Sequence, residues 1–226
     1  MLSVLPKMEW RFAHPGAHIG LLEVAGVDNT FSPALLIEHK RAVEQRLRAR
    51  FAGFTRADFL ALPVMAAYAR YYKRFSKTFH VLLQLESIVH KGKPLPDVSP
   101  LVDANFSAEV ETHILTASHD ADGLREPVMM DIARAGEQFS RPGGGLKDLL
   151  PGDMVMRDAG GVCCSIIYGQ DDRSLITSAT TRGLYVAYAP EGVPAECVME
   201  HLEQVESAIR LFCPDAQTRQ LRLLVA

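Results

Sequence analysis

Two short clusters carry most of the titratable chemistry of this sequence. The first is His119–Asp120–Ala121–Asp122. An imidazole beside carboxylates suits a general base, because negative neighbours raise its affinity for a proton. The plainer reading is a polar strand-end loop whose aspartate caps a turn. The second is Gln170–Asp171–Asp172–Arg173, a polar turn between two apolar runs. Such a turn is a solvent-facing hairpin loop, or the rim of a pocket where a rigid sheet presents it. A third group interleaves aromatic and basic residues: Arg70, Tyr71, Tyr72, Lys73, Arg74, Phe75 and Lys77. That composition stacks on bases and pairs with phosphates. It also describes the end of an amphipathic helix whose cations reach past its apolar face to water.

Other reactive residues carry less. Cys163 and Cys164 are adjacent in a strand-like run, so alternation sends them to opposite faces and they cannot chelate one metal together. They read as small buried apolar residues. The glycines at 143–145 lack the strand, helix and lysine of a phosphate loop and suit a hairpin tip. No serine-hydrolase elbow or zincin motif is present. Neither a metal nor a cofactor is expected.

The elements that must position these residues divide into two textures. Met8 to Ala13 and His18 to Val24 read as strands around the turn HPGA. Behind Pro33, with Ser32 as cap, Leu36, Ile37, Val43, Leu47 and Phe51 mark one face of a helix ending near Gly53. A second helix starts at Thr55 and Asp58, which have capping-box spacing, and Pro63 lies in its first turns or splits it. It runs to about Phe75, and a third helix, Phe79 to Lys91, stops at Gly92. After the proline-rich connector KGKPLPDVSP come strand-like runs at Val128–Ala133, Met154–Arg157, Val162–Tyr168, Leu175–Thr177 and Gly183–Ala189. A helix from Ala195 to Phe212 and a strand from Leu221 to Val225 close the chain. There is no regular strand–helix–strand alternation, so a doubly wound fold is not expected.

Composition sets the class. The chain has 226 residues, 48% apolar and 23% charged, an ordinary balance for a folded protein. No apolar run is long enough for a membrane helix, the N-terminus has no signal-peptide pattern, and four cysteines are too few for a disulfide scaffold. The expected setting is cytoplasmic. The net charge of −3 hides an asymmetry: residues 36–93 carry twelve Lys and Arg against four Asp and Glu. Residues 94–226 carry ten against twenty. The basic segment is either a surface for a phosphate backbone or one half of a packed pair whose charge is solvated surface.

The stretch YYKRFSKTFHVLLQLESIVHKGKPLPDVSPLVDANF resembles the entry to the B3/B4 domain of the phenylalanyl-tRNA synthetase beta subunit, in its free-standing form. The order of later motifs adds to this: His119–Asp120, the run from Arg134 to Phe139, Pro151–Gly152–Asp153 before an apolar strand, and Thr180 to Tyr185. The resemblance covers roughly residues 60–190. It implies one α+β domain over residues 1–226, with a layered, mostly antiparallel or mixed sheet and flanking helices. Residues 1–93 would form strands and a basic helical layer, and residues 94–226 a sheet-rich part with a late helix. In the synthetase this domain hydrolyses tyrosine wrongly esterified to tRNA.

Carried over by residue, the resemblance implies a catalytic group of Asn105, His119 and Asp172, with Asp120, Gln170 and Thr180 on the substrate. Asp172 falls where the synthetases have a longer acid that reads the phenol. Ala117 stands where they have histidine, and Gly169 where free-standing members often have arginine. Arg70, Lys73, Arg74 and Lys77 are the expected nucleic-acid contacts. The leading reading is a stand-alone tRNA-binding protein that hydrolyses mischarged aminoacyl-tRNA. The alternative is a protein that binds a small amino-acid-like ligand in the same pocket and has no tRNA partner. A third is an interaction module without chemistry. Asn105, His119 and Asp172 are expected to converge on one pocket at a sheet edge.

Overall fold

A computed structural model describes residues 1–31 and 33–226. Ser32, the expected helix cap, lies outside the described residues. The chain opens with β1 (Val4–Pro6) and α1 (Met8–Ala13). The expected strand over Met8 to Ala13 is therefore a helix. Met8, Trp10 and Phe12 mimic strand alternation, but only Trp10 is buried, and Met8 and Phe12 face water. One large anchor decides the segment, not its period.

Next come β2 (His18–Ala25), α2 (Ala34–Arg50), α3 (Arg56–Ala61), α4 (Pro63–Lys73) and α5 (His80–Lys91). Thr55 and Asp58 form the full capping box, and Pro63 splits the expected second helix in two. Gly92 ends α5 at φ 62°, a left-handed conformation that glycine adopts without a side-chain clash. α6 (Pro100–Thr112) follows the connector. Its sequence offers no amphipathic stripe, because nine of its residues are buried on several sides. The sequence reading missed it for that reason.

The remaining elements are β3 (Thr116–Asp120), β4 (Val128–Ile132), β5 (Gln138–Ser140), β6 (Leu146–Asp148), β7 (Met154–Asp158), β8 (Gly161–Ser165), β9 (Gly169–Gln170), β10 (Arg182–Ala189), α7 (Ala195–Arg210) and β11 (Gln217–Val225). Leu175–Thr177 is not a strand; the short β9 pairs with β8 instead. The glycines at 143–145 lie between the paired strands β5 and β6, as a hairpin tip would.

One sheet has the order β1-β4-β7-β8-β9, parallel only between β1 and β4. A second, antiparallel throughout, has the order β11-β2-β10-β3. The fold is α+β, as expected. α7 lies on β2, β10 and β11 and packs against α6, which in turn meets α2 and α5. Residues from both halves of the sequence share one apolar core, including Phe51, Tyr68, Leu85, Val128, Tyr185 and Leu202.

Part of the charge asymmetry is neutralised between the halves. Lys40 on α2 is fully buried and reaches Asp103 at 2.7 Å and Asp97 at 2.6 Å. Arg46 pairs with Glu111 at 2.8 Å, and Arg56 with Glu86 at 3.3 Å. Acids of α6 and of the connector before it thus neutralise cations of α2.

Candidate functional site

A hollow of about 360 Å³ opens where the edge strand β3 of one sheet approaches β8 and β9 of the other. α5 and α6 cover it. From α6 it receives Val102, Asn105, Phe106 and Glu109, residues three or four apart that share one helix face. β3 contributes Thr116, Ala117 and Ser118, while Cys164, Ser165, Gly169 and Gln170 come from β8 and β9.

Asn105 and Glu109 clamp the start of β3. Asn105 Nδ2 donates to the Thr116 carbonyl at 2.9 Å, and the Thr116 N–H donates to Glu109 Oε1 at 3.0 Å. This leaves Asn105 Oδ1 buried without a partner. Glu109 has no cation within 4 Å among the described residues, and burial pushes its carboxyl up to about 8. At neutral pH it is a neutral donor facing a mostly apolar cavity. Sequence reasoning missed it because it missed α6; the signal was its place four residues after Asn105 on a helix opened by Ser99–Pro100.

The opposite wall is quiet chemically. Burial pushes the Cys164 thiol up to about 12, which leaves it a poor nucleophile. The Ser165 hydroxyl donates to Asp153, which also accepts from the Tyr71 hydroxyl at 2.7 Å and the Ile167 N–H at 3.3 Å. Asp153 is buried and drawn up to about 6 by desolvation. Its oxygens are spent on structure and do not form a free base. His80 Nδ1 lies 3.3 Å from the Tyr72 hydroxyl, and burial lowers it to about 4. Tyr188 OH and Gln84 Oε1 are buried without partners.

Of the residues expected to share this site, Asn105 and Gln170 line the cavity. His119, Asp120, Asp172 and Thr180 do not, so the expected convergence of Asn105, His119 and Asp172 is corrected. His119 is fully buried, its Nδ1 2.7 Å from Ser174 Oγ, which donates onward to Asp171 at 2.8 Å. Burial lowers it to about 4, so it is a neutral imidazole inside the fold. Asp172 is exposed and bonds the Ser140 hydroxyl of the neighbouring hairpin. The buried acid of that turn is Asp171, held by Arg173 at 2.6 Å. Asp120 and Thr180 meet each other: Thr180 Oγ1 donates to Asp120 at 2.6 Å and fastens two loops.

Arg70, Lys73, Arg74 and Lys77 are exposed along the end of α4 and the turn after it. None makes an ion pair among the described residues, in contrast to Arg46 and Arg56. Lys77 Nζ lies 5.9 Å from the centre of the Tyr168 ring, and Lys147 Nζ lies 4.8 Å from it. Tyr168 directly precedes Gly169 and Gln170 of the cavity wall.

Among the described residues no group of His, Cys, Asp or Glu could hold a metal ion, and no helix is long and apolar enough to cross a membrane. No protein-family model and no curated protein matches the chain. Among solved structures it is similar to an N-terminal fragment of the phenylalanyl-tRNA synthetase beta subunit from Pyrococcus horikoshii, with a TM-score of 0.47 and 11% identity. The likeness covers 98% of this chain, which spans about half (50%) of that one. The family expectation therefore rests on the motifs quoted from the sequence.

Proposed function

We propose that the chain binds a small, mostly apolar molecule with one hydrogen-bonding end, of the amino-acid-like class, in the cavity between α6, β3 and β8. The carrying observation is the pairing of Asn105 Oδ1, a buried acceptor without a partner, with the uncharged carboxyl of Glu109 on one helix face. An apolar hollow with a few convergent polar groups is the general form of a small-ligand site. Leaving Asn105 Oδ1 unpaired costs about 1–3 kcal/mol, which a ligand donor recovers.

Thermal unfolding against a panel of free amino acids and aromatic carboxylates tests this reading. A ligand should raise the midpoint with its concentration, as expected of anything that binds only the folded state. Asn105→Ala and Gln170→Ala should weaken that response. A panel that leaves the midpoint unmoved at millimolar concentrations would end the proposal.

A second reading, hydrolysis of mischarged aminoacyl-tRNA, is supported by the cations Arg70, Lys73, Arg74 and Lys77, unpaired among the described residues, and by the lysine-flanked Tyr168, which directly precedes Gly169 of the cavity wall. An aminoacyl ester is an activated bond, so positioning a water beside it supplies much of the catalysis required. Bulk tRNA in filter binding should then bind with a steep salt dependence, and Lys73→Ala with Lys77→Ala should flatten it. No retention at low salt would leave only the small-ligand reading.

A further inference from the structure

A second cleft, of about 300 Å³, is bordered by Tyr71, whose hydroxyl donates to Asp153. α4 forms one wall, and the turns at His14–Pro15 and Pro190–Glu191 form the others. Arg70 and Arg74, four residues apart on α4, share one face and border it together. Neither has a carboxylate within 4 Å among the described residues. The Arg74 guanidinium lies over the Tyr71 ring at 5.5 Å, which fixes its direction. The Arg70 guanidinium reaches the Pro190–Glu191–Gly192 turn, where a Cβ on Gly192 would come within 2.6 Å of it. At the back is His14, only 5% exposed, whose Nε2 has no hydrogen-bond partner. Among the described residues Glu191, which is exposed, is the one carboxylate bordering the cleft.

We infer that this cleft is a binding site for a phosphate monoester group, held by Arg70 and Arg74 and checked by Glu191. Two forked guanidiniums on one helix face match the oxygens of a tetrahedral anion. His14, only 5% exposed, borders the same cleft beside Arg74. Glu191 sets the class of anion. A carboxylate repels a fully ionised group, but it accepts a hydrogen bond from a P–OH. Inorganic phosphate and monoesters keep such a proton in part near neutral pH; a phosphodiester and sulfate have none. The site therefore favours monoesters over the internal phosphates of a nucleic acid strand. The free end of a 5′-phosphorylated RNA and a small phosphorylated molecule share this chemistry.

Calorimetric titration of the whole chain separates these cases. Inorganic phosphate and phenyl phosphate should bind at least ten-fold more tightly than sulfate at equal ionic strength. Arg70→Ala and Arg74→Ala should each weaken phosphate at least ten-fold with unchanged circular dichroism, since both side chains are exposed. Glu191→Gln should erase the preference for phosphate over sulfate. A 5′-phosphorylated oligonucleotide that displaces phenyl phosphate, where its 5′-hydroxyl counterpart does not, identifies an RNA end as the source. Failure of both to displace it identifies a small molecule. Equal binding of sulfate and phosphate, displacement of phenyl phosphate by both oligonucleotides alike, or indifference to both arginine substitutions would overturn the inference. None of these results bears on the first cavity, which the amino-acid panel tests separately.

Discussion

Glu109 stands one helical turn from Asn105, faces an apolar hollow and has no cation to pair with, so its proton is the cheaper way to remain buried. Its carboxyl lies at about 8, against an ordinary 4.5. A raised carboxyl favours the folded chain only while it is protonated. Stability is therefore lost as pH rises from about 4.5 toward 8, where the unfolded chain ionises first. Glu109→Gln keeps the acceptor for Thr116 and removes the ionisation. The variant should match the parent at pH 4.5 and exceed it by about 3–5 kcal/mol at pH 8, in urea unfolding at several pH values. A difference independent of pH would contradict the assignment. Neighbouring acids in the Gln170–Arg173 turn make a second contrast. Asp171 is buried and terminates the His119–Ser174 chain, so Asp171→Ala should cost about 3 kcal/mol. Asp172 is exposed, and Asp172→Ala should stay within about 0.5 kcal/mol and leave ligand affinity intact. Equal costs for the two would contradict the placement of the turn.

At the scale of elements, α7 approaches β2 closely because Gly20 has no side chain. A Cβ there would lie 2.6 Å from Val198 Cγ1 and 2.9 Å from Leu202 Cδ1, both fully buried. Gly20→Ala should therefore cost about 1–3 kcal/mol by overpacking. Equilibrium unfolding of the variant checks this, and a stabilised variant would contradict the geometry. α6 is the other decisive element. It is enclosed by α2, α5, α7 and β3, so its residues show no stripe, yet it presents both Asn105 and Glu109 to the cavity. Pro100 stands at its first helical position behind Ser99, as Pro63 does in α4 behind Leu62. Proline at the first helical turn was the signal present in the sequence where periodicity failed.

Across the whole molecule, burial controls the response to acid. His14, His80, His113 and His119 are lowered to about 4, and His201 to about 3, chiefly by desolvation. Each is neutral in the folded chain, so protonation favours the unfolded one, and stability is lost as pH falls from about 6.5 toward 4. Glu109 and Asp153 act in the opposite sense but are fewer. The urea midpoint should be lower at pH 5 than at pH 7, and an equal or higher midpoint at pH 5 would contradict the burial of these rings. The α+β class, the capping box at Thr55, the stop at Gly92, β2, β10 and α7 were legible in the sequence, because caps, turn residues and apolar periods act over a few neighbours. Asn105 was singled out only through motif resemblance, whereas Gln170 was also legible as a polar turn between apolar runs; both line the cavity. The sequence could not decide that His119 faces the interior, that Asp171 and not Asp172 is the buried acid, or that Lys40, Arg41 and Arg46 meet acids from the other half of the chain. Those facts depend on which strand lies at an edge and which helix covers it. Desolvation and charge pairing arise only once distant segments have packed, and tertiary structure alone placed Glu109 at the cavity.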